Sequence, residues 1–354
     1  MAKSIMWNYM HEEKELLSSL LRSSNVKTSI SHLDKIEALY IVAHGSSYNA
    51  AHAAAPFIMR QAGVRVYVYT PSAFRYNALA LPLENVSNTL VLGISQTGTS
   101  RGILEALDYA DDLGFKLIGI TNEKNSPITQ KTHLTFCLEC GEENSNAKTK
   151  GYSATILTLL IFGLEIGSLR GKITTAEKAA QYSELQKQID EIDSVIEDTV
   201  AWCTKNNYGK EIDNIYMVGN GMNFATAMEG QLKVMETYCI PTMFNDIEEF
   251  SHGMHRSLNP KSHVILLNTK IDCDLMNKTF AYLKSKAIDV LMVNAQSPKK
   301  DDAVINISNY ADTSSIFLMT AAIQAISVYI PETNGLDPNR PANDDYTDCV
   351  ETRV

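Results

Sequence analysis

The chain has 354 residues, 45% of them apolar and 20% charged, with a formal net charge of −10 at pH 7. This length holds two domains with cores of their own, and the composition is that of a globular protein rather than a disordered or fibrous one. The acidic balance argues against nucleic acid or an anionic membrane as the main partner, although one pocket can still be locally positive.

Along the chain, a helix is expected over residues 12–22, followed by strands at 38–43, 64–69, 89–95, 116–121 and 134–138. Helical runs lie between and after these strands, the last of them over 152–169. Strands alternating with helices predict an α/β fold, a mostly parallel sheet covered on both faces. A polar helical stretch follows over 175–205, without Pro or Gly and with apolar Leu185, Ile189, Ile192 and Ile196. Such a stripe suits packing on a neighbouring domain or subunit. The expected organisation is a first domain over 1–172, a helical connector over 173–210 and a second domain over 211–354.

The N-terminus has no apolar core of signal-peptide type, and the apolar run 156–166 falls short of a membrane span. Together these imply a cytoplasmic protein that does not enter a membrane. Six cysteines are scattered along the chain, which is not a disulfide framework. Cys137 and Cys140 form a C-x-x-C inside a strand-like run, with no second ligand pair at metal spacing. They read as core packing, and no metal or other cofactor is expected.

Two segments share one grammar. In the first, a strand ends in Gly45, Ser46 and Ser47 and passes into a small-residue helix. In the second, the strand from Thr89 runs into Ser95, Gln96, Thr97, Gly98, Thr99 and Ser100, then a helix with Ile103, Leu104, Leu107 and Ala110 on one face. A helix N-terminus offers free N–H groups and a positive dipole end, so such a turn suits a phosphate monoester. No lysine lies inside the loop, which excludes a nucleotide P-loop. The same residues also make ordinary helix caps without a ligand.

The second half of the chain repeats the first. Gly221 sits after a strand as Gly45 does, and residues 263–268 match the strand from Thr89. Further strands are expected at 289–293 and 304–307, and a closing helix at 314–329. A fixed internal repeat is read as a duplication. The second copy lacks the serines, so the first keeps the phosphate turns. After Gly221 the second copy carries Glu229, Lys233 and Glu236 at i, i+4 and i+7 on one helix face. Such an array is either a solvated ion-pair stripe or a functional cluster at the carboxyl end of a strand.

These motifs resemble the sugar isomerase (SIS) domain family, above all the isomerase half of glucosamine-6-phosphate synthases and the fructosamine-6-phosphate deglycases. The family's turns read Gly-Thr-Ser-Tyr and Ser-Gln-Ser-Gly-Glu-Thr, here Gly45-Ser46-Ser47-Tyr48 and Ser95 to Ser100. Its Glu-Gly-x-x-Lys-x-x-Glu matches Glu229 to Glu236, and its Gly-Glu-x-x-His-Gly turn matches Glu248 to Gly253, with His252 sixteen positions after Glu236. A third segment, Asn146 to Lys150, lies where relatives read Val-Ala-Ser-Thr-Lys, with Lys148 in place of a serine. The resemblance covers nearly the whole chain and implies tandem flavodoxin-like SIS domains.

It also implies roles. Ser46, Ser47, Ser95, Gln96, Thr97 and Ser100 would hold a sugar 6-phosphate, with Lys150 bordering the sugar or, failing that, standing as a solvated loop lysine. Glu236 would move a proton between C1 and C2, Lys233 would stabilise the developing oxyanion, and Glu229 would orient Lys233. His252 would open the sugar ring and, as in the family, would come from the neighbouring subunit of a homodimer. No glutaminase segment with an N-terminal cysteine is present before Cys137, so glutaminase activity is not expected. No lysine follows Lys300, where the synthases place a Schiff-base lysine in the closing tail, here Gly335 to Pro341. Three readings remain: a phosphosugar isomerase, a fructosamine-6-phosphate deglycase or amino-sugar-phosphate deaminase, and a non-catalytic phosphosugar sensor.

Overall fold

The computed structural model describes residues 3–340, 342–343 and 345–354; Pro341 of the tail motif lies outside them. The chain forms two compact units. One comprises Glu15–Glu143, Lys150–Leu185 and Asn343–Val354, and the other Met1–Lys14, Asn144–Thr149 and Gln186–Ala342.

The first unit is built on five strands: β1 (Ala38–Val42), β2 (Arg65–Tyr69), β3 (Thr89–Ile94), β4 (Lys116–Thr121) and β5 (Leu134–Cys137). They pair in the order β2-β1-β3-β4-β5, all parallel. β1 and β3 are buried along their whole length, as continuous apolar runs covered on both faces require. The helix Arg101–Asp112 turns Ile103, Leu104, Leu107 and Ala110 inward, as its periodicity predicts.

The second unit repeats this plan with β6 (Asn214–Gly219), β7 (Thr242–Asn245), β8 (Ser262–Asn268), β9 (Asp289–Asn294) and β10 (Val304–Asn306). Its order, β10-β9-β8-β6-β7, is that of the first sheet, again wholly parallel. The duplication extends to the backbone. Gly45 has φ 58° and ψ −141°, and Gly221 has φ 57° and ψ −128°. Only glycine adopts this region without strain, so each repeat uses one to turn sharply from its first strand into the next helix. The α/β fold with two parallel sheets flanked by helices is therefore as the sequence predicts.

Four local expectations are corrected. The N-terminal helix begins earlier and spans Met6–Ser23. The polar stretch after residue 174 is two helices, Thr175–Asp190 and Ile192–Lys205, and the second packs on the helix Ile316–Thr333 of its own unit. Thr242–Asn245, a short edge strand, was not anticipated. Finally, two helices, Lys150–Leu169 and Ile316–Thr333, are long and apolar enough to cross a membrane by length and composition. The run 156–166 is only the middle of the first. Each buries 83% of its apolar window inside the chain; the first packs on Ser46–Ala62 and the second on Met222–Thr237, as central core helices do.

Candidate active site

In the first unit, both serine turns sit at the carboxyl ends of adjacent strands, β1 and β3. Ser46 and Ser47 open the helix Ser46–Ala62, half-buried. In the second turn the Ser95 and Ser100 hydroxyls are 2.9 Å apart and both residues are buried. Thr97 and Thr99 pair their hydroxyls at 2.9 Å nearer to solvent. Gly98, at φ +68°, reverses the backbone, and a Cβ there would lie 2.0 Å from Ser126 Oγ. Among the described residues, the amides of Gln96, Thr97 and Thr99 donate to no group of the chain, whereas those of Ser95, Gly98 and Ser100 are engaged. Backbone amides left without a partner around a left-handed glycine are the kind of group that can accept an anion.

The Gln96 side chain is not free in this turn. Its Nε2 donates to Glu143 Oε2 (3.4 Å) and it packs where a Cβ on Gly151 would stand. Glu143 also accepts from the amides of Lys150 (3.1 Å) and Gly151 (3.2 Å). A buried carboxylate thus caps the positive end of the helix Lys150–Leu169 and ties it to the turn. Sequence reasoning missed Glu143, which lies seven residues before the helix start and carries no local capping signal. Lys150, the first residue of that helix, is only 4% exposed, which removes the reading of a solvated loop lysine. Burial, and then the Glu143 carboxylate, push the Cys140 thiol up to about 12. Cys140 is therefore a packed, protonated thiol and Cys137 is half-buried beside it in sequence.

The second unit holds the carboxylate array. On the helix Met222–Thr237, Lys233 Nζ lies 3.5 Å from Glu229 Oε1 and in direct contact with Glu236 Oε2. Side-chain exposure is 2% for Glu229, 1% for Lys233 and 33% for Glu236. A solvated stripe is thereby excluded: the ammonium is closed in between a sealed carboxylate and one that opens to solvent. Gly230 lets the helix seat this deeply, because a Cβ would meet Met217 Sδ at 2.1 Å and Ile323 Cγ2 at 2.8 Å. The 144–149 segment is fastened to the same helix, Asn146 Nδ2 donating to the Glu236 main-chain carbonyl (2.9 Å).

His252 ends the short helix Ile247–His252, exposed, with no hydrogen bond or ion pair to the array among the described residues. Where the second repeat would place a phosphate turn, a cleft of about 330 Å³ is lined instead by Asp246, Glu248 and Asp272 beside Asn220 and Gly221. Three carboxylates there repel a phosphate, in keeping with the serines belonging to the first repeat alone. No group of three His, Cys, Asp or Glu able to hold a metal ion occurs among the described residues.

The SIS domain matches residues 32–164. The chain is 27% identical over 321 residues to a glutamine–fructose-6-phosphate aminotransferase (isomerizing) of Fusobacterium nucleatum, covering 87% of this chain and 51% of that protein. It thus spans about half the length of such curated relatives. Among solved structures, a candidate phosphosugar isomerase of Clostridium difficile 630 shares the fold with a TM-score of 0.90 at 24% identity, over 99% of each chain. The C-terminal domain of a Francisella tularensis glucosamine-fructose-6-phosphate aminotransferase gives 0.86 at 22% identity, covering 96% of this chain and 98% of that one. Residues 32–164 thus match the SIS domain, and over 87% of its length the chain is similar to an isomerizing aminotransferase of about twice its span.

Proposed function

We propose that the protein is an enzyme of the phosphosugar-isomerase type, moving a proton between C1 and C2 of a sugar or amino-sugar 6-phosphate. The observation that carries this reading is the buried Glu229–Lys233–Glu236 array, in which only the Glu236 carboxylate opens outward. A surface ion pair needs no such enclosure, and burying charge is costly unless it serves a purpose or is fully paired.

In this mechanism Glu236 takes the proton alpha to the carbonyl and returns it to the neighbouring carbon of a cis-enediol. Lys233 stands beside the developing oxyanion and stabilises it. Glu229, sealed behind, holds the ammonium in place and keeps it charged. Ser46, Ser47, Ser95, Thr97 and Ser100 supply hydroxyls to the phosphate, and Gln96 supplies its main-chain amide, its side chain being committed to Glu143. His252, exposed and with no hydrogen bond or ion pair among the described residues, opens the sugar ring in the active site of a second copy. Lys150, buried at its helix start, borders the sugar. A fructosamine-6-phosphate deglycase or amino-sugar-phosphate deaminase would use the same base. The absence of lysine from residues 301–354 favours a substrate that already carries its nitrogen.

Proton NMR in deuterated water tests the proposal with fructose 6-phosphate, glucosamine 6-phosphate and amino-acid fructosamine 6-phosphates. Deuterium at C1 or C2, or ketose–aldose conversion, is expected of an isomerase, and release of an amine of a deglycase or deaminase. Failure of every substrate to exchange or convert would contradict the reading.

A further inference from the structure

The serine turns offer hydroxyls, amides and helix N-termini to a phosphate, and a nearby cation would add to that attraction. The tail of the same unit brings one. Arg101 N donates to Thr352 O (3.1 Å) and Val354 N donates to Thr99 O (3.0 Å). These two bonds flank an antiparallel bridge between Ser100 and Arg353. Ser100 and Arg353 are therefore a non-hydrogen-bonded antiparallel pair, the kind whose side chains leave the ladder on one face and lie closest. The Ser100 hydroxyl on that face meets the Ser95 hydroxyl (2.9 Å), inside the phosphate turn. Arg353 leaves the ladder toward the same place.

Two further observations agree. The other arginine at this helix start, Arg101, is already neutralised by Glu351 (3.2 Å), whereas the Arg353 guanidinium has no partner among the described residues. Its charge also reaches the first turn. The His44 imidazole, next to Gly45, is held below its usual value by burial first and by Arg353 as well.

We infer that Arg353, laid across the turn by residues 351–354, is a phosphate ligand adding a cation to the two serine turns. This rests on the phosphosugar reading above. A guanidinium matches a phosphate with two parallel N–H donors. Because the side chain is exposed, its contribution is partly screened by water and salt.

Calorimetric titration of the full chain with fructose 6-phosphate, glucosamine 6-phosphate and inorganic phosphate tests this. Arg353→Met keeps the side-chain stem and the ladder but removes the charge, and Arg353→Lys keeps the charge but not the fork. The Met variant is expected to bind about ten-fold more weakly and with a shallower salt dependence, the Lys variant in between. Ser95→Ala serves as the reference. If Ser95→Ala weakens binding and Arg353→Met does not, the inference is overturned and the phosphate site stands. If no probe binds, or Ser95→Ala binds as the wild type does, the phosphate reading falls and the inference with it.

Discussion

Asn146 donates its side-chain amide to the main-chain carbonyl of Glu236 at 2.9 Å. Glu236 lies in the last turn of its helix, where carbonyls have no partner within the helix. The bond satisfies one of them and pins a loop from the first half of the sequence to the residue assigned as base. Asn146→Ala should cost about 1 kcal/mol of stability, the worth of one such bond. Urea denaturation of the variant measures it, and an unchanged midpoint would remove Asn146 as an anchor.

Lys233 neutralises Glu229, and both are sealed from solvent. Removing the Lys233 charge leaves Glu229 buried without a counterpart, whereas removing Glu229 leaves Lys233 its contact with Glu236. Lys233→Met is expected to destabilise the protein by about 3–5 kcal/mol, and Glu229→Gln/Lys233→Met together by clearly less. Denaturation of the single and double variants forms the cycle. Single variants within about 1 kcal/mol of wild type would show that the pair is solvated after all.

Gly98→Ala tests the second turn. A side chain at φ +68° is strained, and its Cβ would fall 2.0 Å from Ser126 Oγ. A cost of about 1–2 kcal/mol is expected from the backbone alone. Loss of phosphosugar binding should accompany it, because the free amides of Gln96, Thr97 and Thr99 depend on this reversal. Thermal unfolding and calorimetry read the two effects separately, and a stable variant with unchanged affinity would contradict the assignment.

Acidification should weaken the fold. Burial holds the imidazoles of His44, His52 and His263 below their ordinary value of 6.5, with Asp289 opposing the shift at His263. His52 Nε2 is buried without a hydrogen-bond partner. Below pH 6.5 the unfolded chain takes up protons that these folded-state rings do not. Stability is therefore full above pH 6.5 and declines as pH falls toward their depressed values. His52→Leu should flatten part of that decline between pH 7 and 5, measured by urea midpoints. An equal slope in both proteins would exclude His52 from the effect.

How much of this was legible in the sequence follows from the range of each signal. β1, β3 and β8 are continuous apolar runs, and Glu229, Lys233 and Glu236 share a face by helical period alone, so both could be read locally. The repeat was marked by Gly45 and Gly221, whose common backbone geometry explains why glycine recurs there. What escaped depends on distant partners. Glu143 looks like one of two adjacent surface acids until Lys150, Gly151 and Gln96 are seen to converge on it. β7 is four residues at a sheet edge, one buried and three half-buried, too short for a pattern. The tail at 351–354 carries no periodicity of its own, and its place is fixed by a ladder to residues some 250 positions earlier. The helix break at Glu191 has no Pro or Gly to announce it.

The central claim is that the open carboxylate of the buried array moves a substrate proton. Its most direct test is deuterium incorporation from solvent by wild type and Glu236→Gln, followed by NMR on whichever phosphosugar of the panel the wild type exchanges. Exchange at C1 or C2 is expected to fall by at least about a thousand-fold in the variant, with phosphosugar affinity by calorimetry unchanged. Exchange at the wild-type rate in Glu236→Gln would contradict the account.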